Sequence, residues 1–294
     1  VVAKHPETGV TTEGYHRLQI KGPRKMGCSL HSRRRMFEYQ RAYEERGQNM
    51  PAAICLGLHP IVAMGSLSYP PPEVSKFQAC GGLFEEPMEV ARCSTIDLLV
   101  PAWSEVVIEG EFLAGVREPE GPFGEFTGYF SGRSTQHVFH VNAISMREGA
   151  WFQSIASGRS ADHVTTLGLI REVEVLTTLR KTIPGIKDVH IPTSGCSGFV
   201  AFISMRQVRT GEAKQAITIT LGVDHYLKFV VVVDEDVDVF DEADVLWAIA
   251  TRAQADRDLV VINGSMGTVL DPSASDQGVT AKMGIDATKP LGEL

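Results

Sequence analysis

The stretch Glu120-Gly121-Pro122-Phe123-Gly124-Glu125, running on into Phe126-Thr127-Gly128-Tyr129, constrains the chain more than any other. Two glycines around a proline fit neither a helix interior nor a central strand, so the segment reads as a tight loop with a carboxylate at each end. Such a loop can bring Glu120 and Glu125 near one another. Like charges at close range push their pKa values apart and leave one able to carry a proton near neutral pH. That property suits proton donation in catalysis. A surface turn with two solvated glutamates satisfies the same pattern, and taken alone the motif favours that plainer reading.

At 294 residues the chain can bury a large core, as one large or two medium domains. A formal net charge of −8 argues against nucleic acid or an anionic membrane as the main partner. Arg33, Arg34 and Arg35 form an isolated basic triplet, read as a solvated face. The five cysteines are odd in number and lack CxxC spacing, which points to a reducing compartment rather than a disulfide framework or zinc knuckle. The apolar run Phe229 to Val233 is far too short to span a bilayer and ends in an acidic cluster. With no signal-peptide pattern at the start, a cytoplasmic location is expected.

Strand signals dominate the first half, at 97–100, 105–112 and 137–146, with 115–124 as a punctuating loop. A helix is expected at 36–46, where Met36, Tyr39, Ala42 and Tyr43 share a face. Dense strands with long loops suggest a small barrel with a ligand at its mouth. Near Gly158 the pattern changes. Leu169, Val173, Leu176 and Leu179 recur at helical spacing until Pro184-Gly185 stops them, which reads as a connecting helix. Strands at 197–204 and 227–233 then alternate with helices at 211–222 and 242–254, where Trp247 is expected in the core. The fold class is therefore α/β (α+β). His137, His140 and His190 read as satisfied, half-buried histidines, and the acidic run 234–238 as a strand-end face without EF-hand spacing.

The string EGPFGEFTGYF resembles the signature of the UbiD family of prenylated-flavin decarboxylases. YHRLQIKG at 15–22, LLVPAWSEVVIEGEF at 98–112, VVVVDEDVDVFDEADVLWAIATR at 230–252 and AKMGIDATK at 281–289 match in the family's order. The resemblance implies a β-rich, split-barrel-like flavin-binding domain over 1–158, a connecting helix over 159–183, and a C-terminal α/β oligomerisation domain over 184–294 whose tail returns to the flavin site. It also implies that the N-terminal part of the usual family chain is missing ahead of Val1.

The resemblance further implies reversible, non-oxidative decarboxylation of an aromatic or heteroaromatic acid on prenylated FMN. A flavin prenyltransferase would supply the cofactor, and the chain would form a homodimer or larger homo-oligomer. The family's catalytic triad carries over to Arg17, Glu120 and Glu125, with Glu125 as proton donor and Glu120 supporting the arginine. Without the resemblance Arg17 is one of 28 basic side chains. Lys282 carries over as a contact of the flavin phosphate. The family's divalent ion, Mn²⁺ or Mg²⁺ with K⁺ nearby, is held by an Asn, a His and a Glu. Here Thr12 stands at the Asn position, Lys76 at the Glu position, and His31 is the nearest histidine. A protonated lysine cannot ligate a metal, but its ammonium can replace the metal's charge beside a phosphate. The rival readings are a non-catalytic subunit of a multi-component carboxylase or decarboxylase, which would explain the altered ligands, and an ordinary redox flavoprotein, which would not need the triad.

Overall fold

A computed structural model describes residues 1–30 and 34–289. The chain forms two compact units, Val1–Phe123 with Phe130–Ile155, and Gly124–Tyr129 with Ala156 onward. The first unit holds β1 (Val2–Lys4), β2 (Thr11–Glu13), β3 (Leu18–Gly22), β4 (Lys25–Cys28), α1 (Arg35–Glu44), β5 (Met50–Leu56), α2 (Pro60–Leu67), α3 (Lys76–Phe84), β6 (Val90–Arg92), β7 (Leu99–Pro101), β8 (Val106–Glu120) and β9 (Ser134–Met146). Seven of these strands form one antiparallel sheet in the order β2-β1-β5-β8-β9-β4-β3. Helix α1 lays Met36 and Tyr39 on the sheet face that buries Met50, Phe112 and Phe139. Cys93, Leu98 and Val100 pack with Ala53 in a separate cluster.

Strand β8 continues to Glu120, so the expected loop over 115–124 begins only after that residue. A register shift between Phe112 and Arg117, with Gly115 at a φ of 69°, absorbs the glycine inside the strand. The region between β5 and β6 is helical rather than stranded. Pro60 opens α2 behind His59, whose Nδ1 accepts from the Ile61 amide. Ser75 and Gln78 form a capping box at the start of α3. The two helices approach closely because Gly65 lacks a side chain, where a Cβ would lie 2.3 Å from Cys80 Sγ. Arg33 lies outside the described residues, and Arg34 and Arg35 are not a solvated face. Arg35 donates to the carbonyls of Pro70, Pro71 and Val74, and Arg34 lies 4.4 Å over the Tyr69 ring.

The second unit holds α4 (Ala161–Arg180), β10 (Ile186–His190), β11 (Val200–Met205), α5 (Glu212–Val223), β12 (Phe229–Asp234), α6 (Glu242–Arg252), β13 (Leu259–Met266) and β14 (Val279–Ala287). Its five-stranded sheet has the order β10-β11-β12-β14-β13, with β11, β12 and β14 parallel. The run Phe229 to Val233 is explained by this position, because a central parallel strand covered on both faces has no polar side to show. Val230 and Val232 face the cluster shared with α4 and α5, and Val231 and Val233 face the one shared with α6.

The helical stripe on α4 is rotated from the expected one. Leu169 and Val173 are exposed, while Val164, Gly168, Arg171, Val175 and Leu179 are buried. Burial of Arg171 is compensated by its ion pair with Asp224 at 2.8 Å. Trp247 is half exposed, not core, and stacks under Arg252 at 4.9 Å. His190 is satisfied by Glu172 at 2.8 Å, whereas His137 is buried with neither ring nitrogen hydrogen-bonded. The acidic run binds cations instead of water alone, with Asp234 and Asp236 both paired to Arg252.

Candidate active site

Arg17 immediately precedes β3, and Glu120 is the last residue of β8, opposite Ser134 of β9. The antiparallel sheet brings these residues, 103 positions apart, to an Nη2–Oε2 distance of 3.1 Å. Glu120 is fully buried, and its Oε1 has no hydrogen-bond partner. Room for its side chain comes from Gly27 of β4, where a Cβ would sit 3.3 Å from Glu120 Cγ. The Arg17 guanidinium also lies 4.7 Å over the Phe123 ring, so one aromatic face and one carboxylate fix its direction. Beside them the Cys28 thiol is pushed up to about 12, chiefly by burial, which keeps it an unreactive filler.

The chain leaves the sheet through Gly121, whose φ of 89° is a conformation that favours glycine. Gln19 Oε1 accepts from the Gly121 amide at 3.2 Å, and Phe123 exchanges hydrogen bonds with Ser131 through both its N–H and its carbonyl. These contacts hold Gly121–Phe123 within the first unit. Gly124–Tyr129 belongs to the second. There the Glu125 amide donates to the Tyr129 carbonyl and the Glu125 carbonyl accepts from Gly128, closing a turn in which Glu125 is 8% exposed. Phe126 anchors the turn among Val164, Phe199 and Tyr226. Ser157 Oγ lies 3.5 Å from where a Cβ on Gly124 would be, and the Arg159 stem lies against Gly128. The Glu125 carboxyl group is thus buried on a short, braced turn.

A third set of polar groups surrounds the start of α3, in the first unit. Lys76, its first residue, is 9% exposed and donates to the Ser66 carbonyl of α2. Burial and repulsion from Arg34 push its ammonium down to about 8, with Glu13 pulling the other way. Glu13 is buried as well; burial raises its carboxyl above the usual range, and Cys80 Sγ donates to it at 3.1 Å. Next to it Thr12 Oγ1 is buried without a hydrogen-bond partner. A cavity of about 200 Å³ opens beside these groups, lined by Glu13, His16, Ser66 and Gln153 with apolar walls from Leu18, Ile54 and Ile155. Burial pushes His16 down to about 3, so it lines the cavity as a neutral ring, held by Nδ1 at 3.2 Å from the Ser29 carbonyl.

Lys282 lies on β14 in the second unit and is buried. Its ammonium donates to the carbonyls of Leu221 at 2.7 Å and Asp224 at 3.3 Å, capping the C-terminal end of α5. His31 and the chain end expected to return to the flavin lie outside the described residues. Sequence reasoning missed Glu13, Gln19 and Cys80. Glu13 carried one available signal, because it follows Thr12 and precedes the Gly14 that leads into Arg17.

The donor set does not fit a divalent ion. The positions that the resemblance assigns to an Asn and a Glu ligand hold Thr12 and Lys76, and among the described residues no group of three or more His, Cys, Asp or Glu side chains could hold a metal. Toward a flavin the first unit offers a part-apolar cavity of about 200 Å³ and, apart from that cavity, the Glu120 carboxyl oxygen that lacks a partner.

Comparison with known proteins shows what the two halves of the chain are similar to. Residues 1–160 match the 3-octaprenyl-4-hydroxybenzoate carboxy-lyase Rift-related domain, and residues 164–287 match the C-terminal domain of the same enzymes. The chain is 32% identical to an anhydromevalonate phosphate decarboxylase of Methanothermobacter thermautotrophicus, over 99% of its own length and 68% of that protein. It superposes with a TM-score of 0.95 on the UbiD-class enzyme HmfF of Pelotomaculum thermopropionicum in complex with FMN, at 38% identity over 99% of this chain and 65% of that one. An evolved dimeric form of HmfF in complex with prFMN matches with a TM-score of 0.90, at 34% identity over 100% of this chain and 65% of that one. The 3,4-dihydroxybenzoic acid decarboxylase AroY of Klebsiella pneumoniae gives a TM-score of 0.91 at 30% identity, over 98% of this chain and 64% of that one. The chain thus spans about two thirds of the length of these relatives. With both halves matched in order, the chain belongs to the UbiD family of carboxy-lyases.

Proposed function

We propose that this chain carries out reversible, non-oxidative decarboxylation of a conjugated carboxylic acid, aromatic or heteroaromatic, on prenylated FMN. The observation that carries the proposal is the Arg17–Glu120 pair, an arginine aimed by a fully buried carboxylate with one unpartnered oxygen. An arginine fork can hold a substrate carboxylate while paired to a protein one, and it keeps its charge throughout. When bound, prenylated FMN supplies the electron sink that accepts the charge left as CO2 departs. Arg17 orients the substrate acid, Glu120 fixes Arg17, and Glu125 delivers the proton that replaces the carboxylate. Support for that division is the burial and bracing of Glu125 on its turn. Burial also excludes water that would compete for the site.

A second substrate class is favoured by one specific observation, the 32% identity to an anhydromevalonate phosphate decarboxylase, whose named substrate carries a phosphate. A homo-oligomer, a prenyltransferase as cofactor supplier and a cytoplasmic site of action belong to the same reading. Among the described residues no helix is long and apolar enough to cross a membrane. The test is reconstitution with prenylated FMN followed by a CO2-release assay over benzoic, furoic and phosphorylated unsaturated acids. Release from an aromatic or heteroaromatic acid supports the first class, and release confined to the phosphorylated acid the second. A modified-flavin absorption band with no release from any acid points to the non-catalytic subunit, and a plain FMN spectrum with redox turnover to the oxidoreductase.

A further inference from the structure

We propose that His16 sets what binds in the cavity beside it: as a fixed hydrogen-bond acceptor, its Nε2 lone pair receives an N–H or O–H group of the bound molecule. The inference rests on the flavin reading above and deepens it by naming a specificity-determining side chain. Its first support is the tautomer. The Ser29 carbonyl, 3.2 Å from Nδ1, can only accept, so Nδ1 carries the proton. A neutral imidazole has one N–H, which leaves Nε2 as an acceptor. Burial, with Lys76 adding repulsion, keeps the ring in that neutral form.

The second support is space. Gly14 does not have the positive φ that demands glycine, yet a Cβ there would lie 3.0 Å from His16 Nε2. What the glycine supplies is room beside the lone pair, and Gly14 and His16 both line the cavity of about 200 Å³. The third is the absence of a donor. Among the described residues no group donates to Nε2, and the atom is not sealed from solvent as the ring nitrogens of His137 are. Other polar groups of the wall are engaged, since the Ser66 carbonyl accepts from Lys76 and Glu13 accepts from Cys80. An enclosed acceptor held in one direction favours a molecule that brings a donor, because one without it leaves the lone pair unsatisfied. Two sources share that chemistry, an N–H or ribityl hydroxyl of the flavin and a hydroxyl on the substrate acid.

The experiment compares the parent chain with His16→Phe, which keeps a ring and removes both nitrogens, and His16→Gln, whose amide oxygen can reach the Nε2 position. FMN affinity is read by flavin fluorescence, and kcat and KM with prenylated FMN are read for benzoic and para-hydroxybenzoic acid. If the donor is the flavin's, His16→Phe weakens FMN about fivefold or more and His16→Gln restores it to within about twofold, with the preference between the acids unchanged. If the donor is the substrate's, FMN affinity holds. His16→Phe then raises KM for the hydroxylated acid about fivefold or more and erases the parent's preference for it, which His16→Gln keeps. In either case the nitrogen NMR resonance of Nε2 in histidine-labelled parent protein moves upfield when the donor-bearing molecule is added. A ring that merely supports the Ser29 carbonyl leaves that resonance in place. The inference is overturned, while the flavin reading stands, if FMN affinity is unchanged in His16→Phe and there is no acid preference for it to erase. Equal losses in His16→Phe and His16→Gln overturn it too, because they report structure alone. No flavin binding by the parent chain overturns the flavin reading and the inference with it. Should His16→Phe fail to fold, Gly14→Ala crowds Nε2 while keeping the ring and should show the same selective loss, and an unmoved Nε2 resonance in the parent overturns the inference.

Discussion

Replacing Arg17 by methionine leaves Glu120 with no partner on either oxygen, in a site with no solvent exposure. Removing one member of a buried ion pair costs about 3–5 kcal/mol. The Arg17 side chain is 26% exposed and so keeps part of its hydration in the folded state, which places the expected loss near the lower end, about 3 kcal/mol. For a unit of this size that corresponds to roughly 6–12 °C in Tm. The double variant Arg17→Met/Glu120→Gln removes the stranded charge while keeping volume, and should regain at least half of the loss. Hydrogen exchange of the β8–β9 ladder reads the first unit apart from the second, which matters because two units need not unfold together. Decarboxylation should stay abolished in the double variant even as stability returns, separating the pair's structural role from its chemical one. Two single losses that simply add in the double variant, within about 0.5 kcal/mol, would show that the pair is not coupled and refute the reasoning.

Glu125→Gln should lower turnover by ~10²–10⁴-fold with little change in Tm, because the amide keeps the shape but cannot deliver a proton; a rate within a few-fold of the parent removes Glu125 as donor. Arg17→Lys should also be severe, since a point charge cannot reproduce the fork, and near-normal kcat and KM would take Arg17 out of the site. Phe126→Ala should destabilise the second unit by about 3–5 kcal/mol, measured by urea unfolding, because the ring is buried against Phe199 and Tyr226. Burial pushes the Glu44 carboxyl up, but hydrogen bonds from Arg117, Gln40 and the Gly115 amide hold it down to about 2. A depressed folded pKa stabilises above the unfolded value of 4.5 and fades as pH falls toward 2, so Glu44→Gln should be destabilised at pH 7 and converge with the parent only below about pH 2.

The sequence announced the second unit better than the first, for a physical reason. Its helices and central strands are long and periodic, and the apolar run at Phe229 to Val233 can only be a strand covered on both faces. In the first unit β1, β2 and β6 have only three residues each, too few to show a period. Helices α2 and α3 are short and rich in glycine and small residues, so they show no apolar stripe; their caps at His59 and Ser75 were the legible sign. Leu169, Val173 and Trp247 misled because apolar spacing identifies a helix without saying which face another element covers. Arg17, Glu120 and Glu125 were singled out through a motif, but the burial of Glu120 was not legible. It depends on Gly27, some ninety residues away in sequence, leaving space for its side chain.

The Gly-Pro punctuation between the two carboxylates has a consequence that a simple turn would not. Glu120 is still a sheet residue, its backbone in register with Ser134, so its position is set by the same ladder that fixes β8 and β9. Glu125 is held by a turn of its own, through Tyr129, Gly128 and the Phe126 anchor in the second unit. Each acid thus has a backbone support of its own, a strand ladder for one and a turn for the other, although they lie five residues apart. A carboxylate that must stay fixed beside an arginine gains from a rigid ladder, and one that must gain and lose a proton gains from separate bracing. Gly121 is the residue at which these demands meet, since its φ of 89° would strain any side chain and its built Cβ would lie 3.3 Å from the Gly132 carbonyl. Gly121→Ala should therefore lower turnover more than stability. The strain, of order 1–3 kcal/mol, is relieved by shifting the loop, and the shift moves Glu125 relative to its own turn. A Tm drop of several degrees with unchanged kcat would show that the loop only links the two supports and does not set them.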